Sequence, residues 1–533
     1  MSNKEQQNLV PRPPVVVVMG HIDHGKSTLL DYIRKTEIVA SEAGGITQHM
    51  GAYQVLHVSP DDKKHEITFL DTPGHAAFSG IRKRGAKSAD IAILVVSAED
   101  GVKPQTLEAL KAIQAQKIPY IVAINKIDKP NADIDRTKTS LGENEIYVEG
   151  WGGDIPVVAI SALNGLGVPE LLDMILLVSE LASLKTDPSL PAIGIVIETK
   201  LDTRTGISAT VLVRDGTLKV GSFIVAENSF APIRYIDDFQ GKKIKSANAS
   251  MPVSITGWNT VPNVGASFEI CETKKEAEKL VRDFEDRKRS AKAESKTNIT
   301  SKDIASTSTD QKNEDDVGPI IIPIVIKADA TGSLEAVRSE LQKITHDKVK
   351  LKIISEGIGN INENDVKLAL GDPSVMLIGF NASPDNKASA MIERASFPIL
   401  IGSFTIIYKL TEYIQEVLMS KVPKEFVEEV TGRAKIMAVF SKEKDKQIVG
   451  GKVETGFIAS GNEIRIMRRE AEIGRGKIRG LQEKKQKTSE VAEGHECGMM
   501  LEAKVEIAPG DKIESVRTVE KEGVLDPKYD LRQ

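Results

Sequence analysis

Five apolar residues, Val15–Met19, run directly into Gly20-His-Ile-Asp-His-Gly25-Lys26-Ser27, and the following stretch, Thr28–Arg34, has a helical pattern. A buried strand, a glycine-bounded loop and a helix in that order confine this part of the chain to a parallel α/β sheet that binds its ligand at a strand's carboxyl end. The spacing is G-x-x-x-x-G-K-[ST]. Its glycines let backbone N–H groups surround phosphate oxygens, Lys26 brings a positive charge to the β/γ oxygens, and the Ser27 hydroxyl can ligate Mg²⁺. Asp23, His24, Gly25 and Thr28 complete the loop residues expected to touch a nucleotide.

Three further segments follow in order, each at the end of a predicted strand. Asp71-Thr-Pro-Gly74 closes Ile67–Leu70, which places Asp71 to hold Mg²⁺ through water and the Gly74 amide to meet a γ-phosphate. Asn125-Lys-Ile-Asp128 closes Tyr120–Ile124. A carboxylate at Asp128 can accept from the ring N–H and exocyclic amine of guanine, a donor pair that adenine lacks, while the Lys126 stem stacks on the base. Ser161 and Ala162, with Leu163 beside them, bring a backbone N–H to the guanine oxygen. Each segment alone also reads as a simple turn. Their common order makes a site for GTP or GDP with Mg²⁺.

Between Ser27 and Asp71 lies Glu42-Ala-Gly-Gly-Ile46-Thr47. Adjacent glycines give a hinge on which Thr47 can swing in to complete a Mg²⁺ shell when a γ-phosphate is present. His75 follows the aspartate segment where small signalling GTPases carry Gln. An imidazole there can orient an attacking water or stabilise developing charge, so His75 is the candidate catalytic residue. The plainer alternative is a surface or capping histidine.

The rest of the chain determines domain organisation. At about 100–200 residues per domain, 533 residues predict several domains. The expected fold class is multidomain α/β and β. A short arm (1–12) precedes a P-loop GTPase domain (13–187), and short β-branched segments predict a β-barrel domain (188–273). Residues 274–317 read as a charged helix (274–289) and a flexible linker (290–317). A second α/β domain (318–403) leads through a long connecting helix (404–426) to a C-terminal β-barrel (427–533). Only two cysteines, Cys271 and Cys497, exclude a disulfide framework, and no apolar run is long enough to span a bilayer. A cytoplasmic protein without membrane partners is expected. The net charge of -5 argues against indiscriminate nucleic-acid coating, yet Arg433–Lys487 carries 15 Lys/Arg against 7 Asp/Glu, a candidate surface for phosphate contacts.

The segments GHIDHGKST, EAGGITQHMGAY, DTPGHAAFSGIRKRGAKSAD and NKIDKP resemble the translational GTPases. Among these, GWGGDIPVVAISALNGLGVPELLDMILLVSE, KADATGSLEAVRSEL, SEGIGNINENDVKLA and GHECGMMLE are similar to the bacterial translation initiation factor two family, over about Pro11 to Thr518. The resemblance implies a ribosome-stimulated GTPase that binds formylmethionyl initiator tRNA, places it on the 30S subunit and promotes joining of the 50S subunit. It also implies other initiation factors as partners and a monomer off the ribosome. By the same resemblance, Ile22 and Ile46 form an apolar gate beside His75, Asp23 helps hold a monovalent cation, and Gly480, Leu481, Glu496, Cys497 and Gly498 bind the initiator-tRNA end. A formylated amine carries no charge, so a small, weakly polar pocket admits it and rejects the cation of unformylated methionine. Three departures bear on that pocket: Leu481-Gln482-Glu483-Lys484-Lys485 where the family commonly reads L-K-R-[FY]-K, Gly451 near a frequent second cysteine, and His495 for a usual Tyr. Few residues precede the first strand, so a short form lacking functions of a long N-terminal extension is expected.

Two alternatives share parts of this pattern. One is a GTPase that delivers another specialised aminoacyl-tRNA. The other is the GTPase subunit of a sulfate-activating enzyme, which lacks the second α/β domain, long helix and terminal barrel.

Overall fold

A computed structural model describes residues 9–35, 47–202, 205–297, 319–344, 348–421, 425–443, 445–469, 471–484 and 486–521. The chain divides into two compact units, Met1–Glu416 and Val417–Gln533. The first contains a six-stranded sheet in the order Gly51–Val58, Lys64–Asp71, Val15–Gly20, Ile91–Ser97, Tyr120–Asn125, Val157–Ala159. Only the first two strands pair antiparallel. Val15–Gly20 is buried throughout, as a strand covered on both faces must be. Register puts Val18 beside Asp71, Gly20 beside Val95, and Ser97 beside Asn125. The loops that follow these strands therefore emerge along one edge. Leu29, Leu30 and Ile33 of the helix Lys26–Arg34 share the core with Val16, Val18, Ile93 and Ile121, which anchors the phosphate loop at both ends.

Eight antiparallel strands within residues 193–271 wrap around Val211, Val213, Ile224, Ile255, Trp258 and Phe268. Asp90 joins this β-domain to the α/β sheet: Arg12 pairs with it at 2.6 Å and Arg214 at 3.3 Å. The charged helix that follows runs from Lys274 to Thr297, past the end expected at 289. Its continuation is rich in Ala, Lys and Glu, which are strong helix formers, so a polar composition that reads as a linker also suits a solvent-facing helix. The remainder of the expected linker, 298–317, lies outside the described residues.

A second, parallel sheet has the order Val349–Ile358, Ile320–Ala328, Met376–Phe380, Leu400–Phe404. Its last strand starts beyond Pro398, which has no N–H to give a ladder. Helices Thr331–Lys343, Glu363–Gly371 and Asn386–Glu393 accompany it, and the long helix Ile407–Lys421 follows.

In the second unit, strands Glu425–Glu443, Lys512–Lys521, Glu463–Arg468, Ala471–Glu483, Glu496–Ala503 and Lys446–Ala459 each pair antiparallel with the next. Lys446–Ala459 pairs back with Glu425–Glu443, closing a barrel around Ile436, Val449, Ile464, Ile478, Met499 and Ile513. The first strand begins at Glu425, two residues ahead of the boundary expected at 427. The fold class is thus the expected combination of α/β and β-barrel-like parts. Among the described residues no helix is long and apolar enough to cross a membrane.

Candidate functional site

A cleft of about 340 Å³ opens where the loops of the six-stranded sheet converge. At one end Asn125 is 2% exposed and its amide is fully engaged: Nδ2 donates to the His24 carbonyl at 2.8 Å and Oδ1 accepts from the Ala162 N–H at 2.9 Å. One side chain thus ties the phosphate loop to both segments expected to read a base. Asp128 is exposed on the cleft and accepts a 2.6 Å hydrogen bond from Ser161 Oγ, which holds its carboxyl below the usual range, in the anionic form that an amine donor needs. Ser161 itself is buried beneath the lining, Leu163 is exposed on it, and Lys126 crosses the floor in a left-handed backbone conformation, φ 66°. Lys129 joins them, unforeseen from the sequence.

At the other end Gly25 caps the helix Lys26–Arg34 with φ 87°, and a Cβ there would lie 2.2 Å from Asn125 Nδ2. Glycine is required here both by backbone conformation and by space. Asp23, Lys26, Ser27 and Thr28 line the cleft. Lys26 is buried, its Nζ donates to the His21 carbonyl at 2.6 Å, and burial lowers its pKa to about 8 despite the nearby Asp71. His24 does not line the cleft. It lies beneath, where the Ser97 N–H donates to Nδ1 at 3.3 Å and burial, then the neighbouring His21, lowers its pKa to about 4. A neutral His24 spares the loop a buried cation.

Ser27 Oγ and Thr47 Oγ1 lie 2.9 Å apart, and Thr47 Oγ1 donates to Asp71 Oδ2 at 3.4 Å. This small set of hard oxygen donors, with one carboxylate, fits Mg²⁺, which keeps several waters and takes phosphate oxygens as further ligands. Ile22 lines the cleft beside Gly74; its expected gate partner, Ile46, lies outside the described residues, as do residues 42–45 of the expected hinge.

His75 is 8% exposed and caps a short 3-10 helix, Ala76–Phe78, by accepting the Ala77 N–H on Nδ1 at 2.8 Å. Burial lowers its pKa, so the ring is neutral and its proton sits on Nε2. Capping and a place on the cleft are therefore compatible rather than alternative roles. The segment before it is held rigidly: Thr72 Oγ1 donates to the Val18 carbonyl, and the buried Arg82 guanidinium donates to the carbonyls of Pro73, Gly74 and His75 while pairing with Glu108. Nothing in the local sequence singles out Arg82. Nor does it single out His49, which faces Glu198 at 3.5 Å and Asp329 at 3.2 Å. Burial opposes its charge, but hydrogen bonds that the ring donates to those two carboxylates overcome that and raise its pKa to about 9. Tyr408 of the long helix also reaches the cleft lining.

In the second unit a cleft of about 380 Å³ is lined by Glu496, Cys497 and Gly498 together with Met437, Phe440, Gly451, Gln482 and Lys484. Register explains the grouping, since Gly451 pairs with Cys497 and Gln482 with Gly498. Gly480 and Leu481 are not on this lining. Strand alternation turns Leu481 into the barrel core, 2% exposed, and sets Gly480 against Met500, while Gln482 and Lys484 line the cleft. Two departures meet: His495 Nδ1 and Glu483 Oε1 are 2.7 Å apart. The basic run 433–487 is partly neutralised by acids from elsewhere in the chain, which pair with six of its 15 cationic residues. Arg465 and Arg475 pair with Glu428, Arg468 with Asp511, Arg479 with Glu502, Arg433 with Glu514 and Lys442 with Glu506. Counting charges along the sequence therefore overstated the positive surface.

Three known families match in chain order. Residues 12–180 match the family described as Elongation factor Tu GTP binding domain, 191–270 Elongation factor G domain 2, and 291–415 Translation-initiation factor 2. Translation initiation factor IF-2 of Carboxydothermus hydrogenoformans is 42% identical over 96% of this chain and 60% of its own length. That of Halothermothrix orenii is 43% identical over 96% of this chain and 72% of its own. The chain thus spans between 60% and 72% of these two relatives. The crystal structure of GDP-bound aIF5B from Aeropyrum pernix superposes loosely, with a TM-score of 0.44 at 26% identity over 95% of this chain and 92% of that one.

Proposed function

The chain belongs to the translation initiation factor IF-2 family, and from that premise we propose that it binds GTP in the cleft of its first unit and hydrolyses it on the ribosome during initiation. The observation that carries this reading is the Asn125 amide, which couples His24 of the phosphate loop to Ala162 of the base-reading loop, beside an anionic Asp128. Backbone N–H groups at the start of the helix Lys26–Arg34 cradle the phosphates, and Lys26 offsets their charge. Ser27 and Thr47, and Asp71 through water, would hold Mg²⁺, which would supply positive charge to offset that of the phosphate oxygens. Asp23, which also lines the cleft, would help hold a monovalent cation. His75, neutral and with its proton on Nε2, orients the attacking water or stabilises the charge that develops, once the large ribosomal subunit engages it. No covalent intermediate is needed.

The second unit, on this reading, holds the formylmethionyl end of initiator tRNA in the cleft at Glu496, Cys497 and Gly498, so that the factor places that tRNA on the small subunit and promotes subunit joining. The cleft is lined by apolar Met437 and Phe440 and by a neutral, buried Cys497, whose thiol burial pushes up to about 11. Those three side chains suit a formyl-amide, while Glu496 and Lys484 set one charge of each sign on the same lining.

Base reading is tested by Asp128→Asn, which is expected to shift preference from guanine toward xanthine nucleotides; unchanged GTP affinity and selectivity would remove Asp128 from the role. Formyl reading is tested with the full chain by equilibrium binding of formylmethionyl-tRNA and methionyl-tRNA at fixed salt. A preference of about tenfold, roughly 1.4 kcal/mol, is expected, and equal binding would place selection elsewhere.

A further inference from the structure

Tyr408 stands in the first turn of the helix Ile407–Lys421, distant in sequence from His75, yet their rings meet edge to face with centroids 4.4 Å apart and planes at 66°. Phe78 makes a second edge contact on the imidazole, at 6.0 Å and 78°. Both His75 and Tyr408 line the cleft that also holds Lys26 and Gly74. Between these aromatic contacts the imidazole keeps the orientation in which Nδ1 is spent on the Ala77 N–H, and only 8% of the residue is exposed.

The turn that carries Tyr408 is itself anchored. Ile407 is fully buried, and the Thr405 carbonyl accepts a 2.9 Å hydrogen bond from Gln48 Nε2, next in sequence to Thr47. One short stretch, Thr405–Tyr408, is therefore bonded to the segment bearing a candidate Mg²⁺ ligand and packed on the candidate catalytic histidine.

We propose that Tyr408 is a positioning residue for His75, its ring holding the imidazole in the capped, buried arrangement and so keeping hydrolysis by the factor alone slow. An imidazole confined in this way meets an attacking water only after leaving the Tyr408 contact. Movement of the helix start releases it, and removal of the Tyr408 ring does the same without any partner. The inference rests on the reading of His75 given above, and it assigns to the long helix a direct hand in when that residue acts.

The test compares wild type with Tyr408→Ala, Tyr408→Leu and Tyr408→Phe as full-length chains. Single-turnover GTP hydrolysis without ribosomes is expected to rise about five- to tenfold in kcat for the Ala and Leu variants, with KM for GTP within about twofold; a tenfold rise equals about 1.4 kcal/mol. Tyr408→Phe, which keeps the ring, restores the slow rate. Leu fills the volume without a ring, so it separates loss of the aromatic contact from loss of packing. A second readout is independent of activity: the His75 ring titration by ¹⁵N NMR. Its neighbours Arg82, Glu108, Glu340 and Lys343 are unchanged in every variant, so a rise of the His75 pKa toward 6.5 in Ala and Leu but not Phe reports release of the ring from burial. An unchanged titration together with an unchanged rate overturns the proposal, as does a fall in rate, which would mean that Tyr408 holds His75 ready for reaction. If no variant hydrolyses GTP while the titration shifts as expected, the positioning contact stands and the GTPase reading fails.

Discussion

Asn125→Ala is the sharpest test of how the cleft is built. The amide is 2% exposed and donates to the His24 carbonyl while accepting from the Ala162 N–H. Truncation removes both bonds and strands two backbone groups in a region with little water. At about 1–2 kcal/mol for each unsatisfied group, the lower part of the usual range, the cost is about 2–4 kcal/mol. That energy now holds two loops in register before any nucleotide arrives. Without it the binding-competent arrangement becomes a minor population, and apparent affinity falls in proportion to that fraction. The expected loss is about 30-fold to several hundredfold in the affinity for GDP and GTP, measured by displacement of a fluorescent guanine nucleotide. Chemical denaturation in parallel separates loop loosening from global unfolding, because the sheet core does not involve the amide. Asn125→Asp sharpens the test: it keeps an acceptor for Ala162 but sets an anionic oxygen against the His24 carbonyl where the amide NH₂ stood. It is expected to bind at least as poorly as the alanine variant. Affinity within threefold of wild type in the alanine variant, or rescue by aspartate, would refute the coupling argument.

Two further expectations concern reactivity. His75→Ala should leave guanine-nucleotide affinity within about threefold while abolishing the ribosome-stimulated rate; a variant that still responds normally to ribosomes would remove His75 from the mechanism. Cys497, with its thiol pushed up to about 11 by burial, is almost wholly protonated at pH 8, roughly 100-fold less thiolate than a thiol of pKa 9. Its alkylation by iodoacetamide, followed in a Cys271→Ser background, should therefore climb about tenfold per pH unit through pH 10, and a plateau near pH 9 would show that the thiol is not buried as described.

Much of the first unit was legible because its signals are local. Val15–Met19 followed by Gly25-Lys26-Ser27 names a strand, a turn and a helix from backbone preference alone, and the strands ending at Asp71 and Asn125 each end one residue past the expected limit, although the first also starts three residues early, at Lys64. Where prediction slipped, composition was ambiguous or a terminus depended on one residue. The helix continues to Thr297, past the end expected at 289, through residues equally suited to a linker, and Pro398 sets the start of the last strand of the second sheet beyond it.

The sequence by itself named most of the residues that line the cleft and the loop position, Gly25, that demands glycine, since spacing within short segments sets both. Only the tertiary structure decided how those residues are restrained. The Asn125 bond to His24 spans 101 positions, the Arg82 donors converge on a loop that nothing in their own helix specifies, and His49 finds Glu198 and Asp329 across three separate parts of the first unit. In the barrel, acids remote in sequence cancel part of the basic run, and strand alternation moves Leu481 into the core. Such pairings follow from strand order and register. Those are set by how whole sheets bury their apolar faces, a property that no single segment carries.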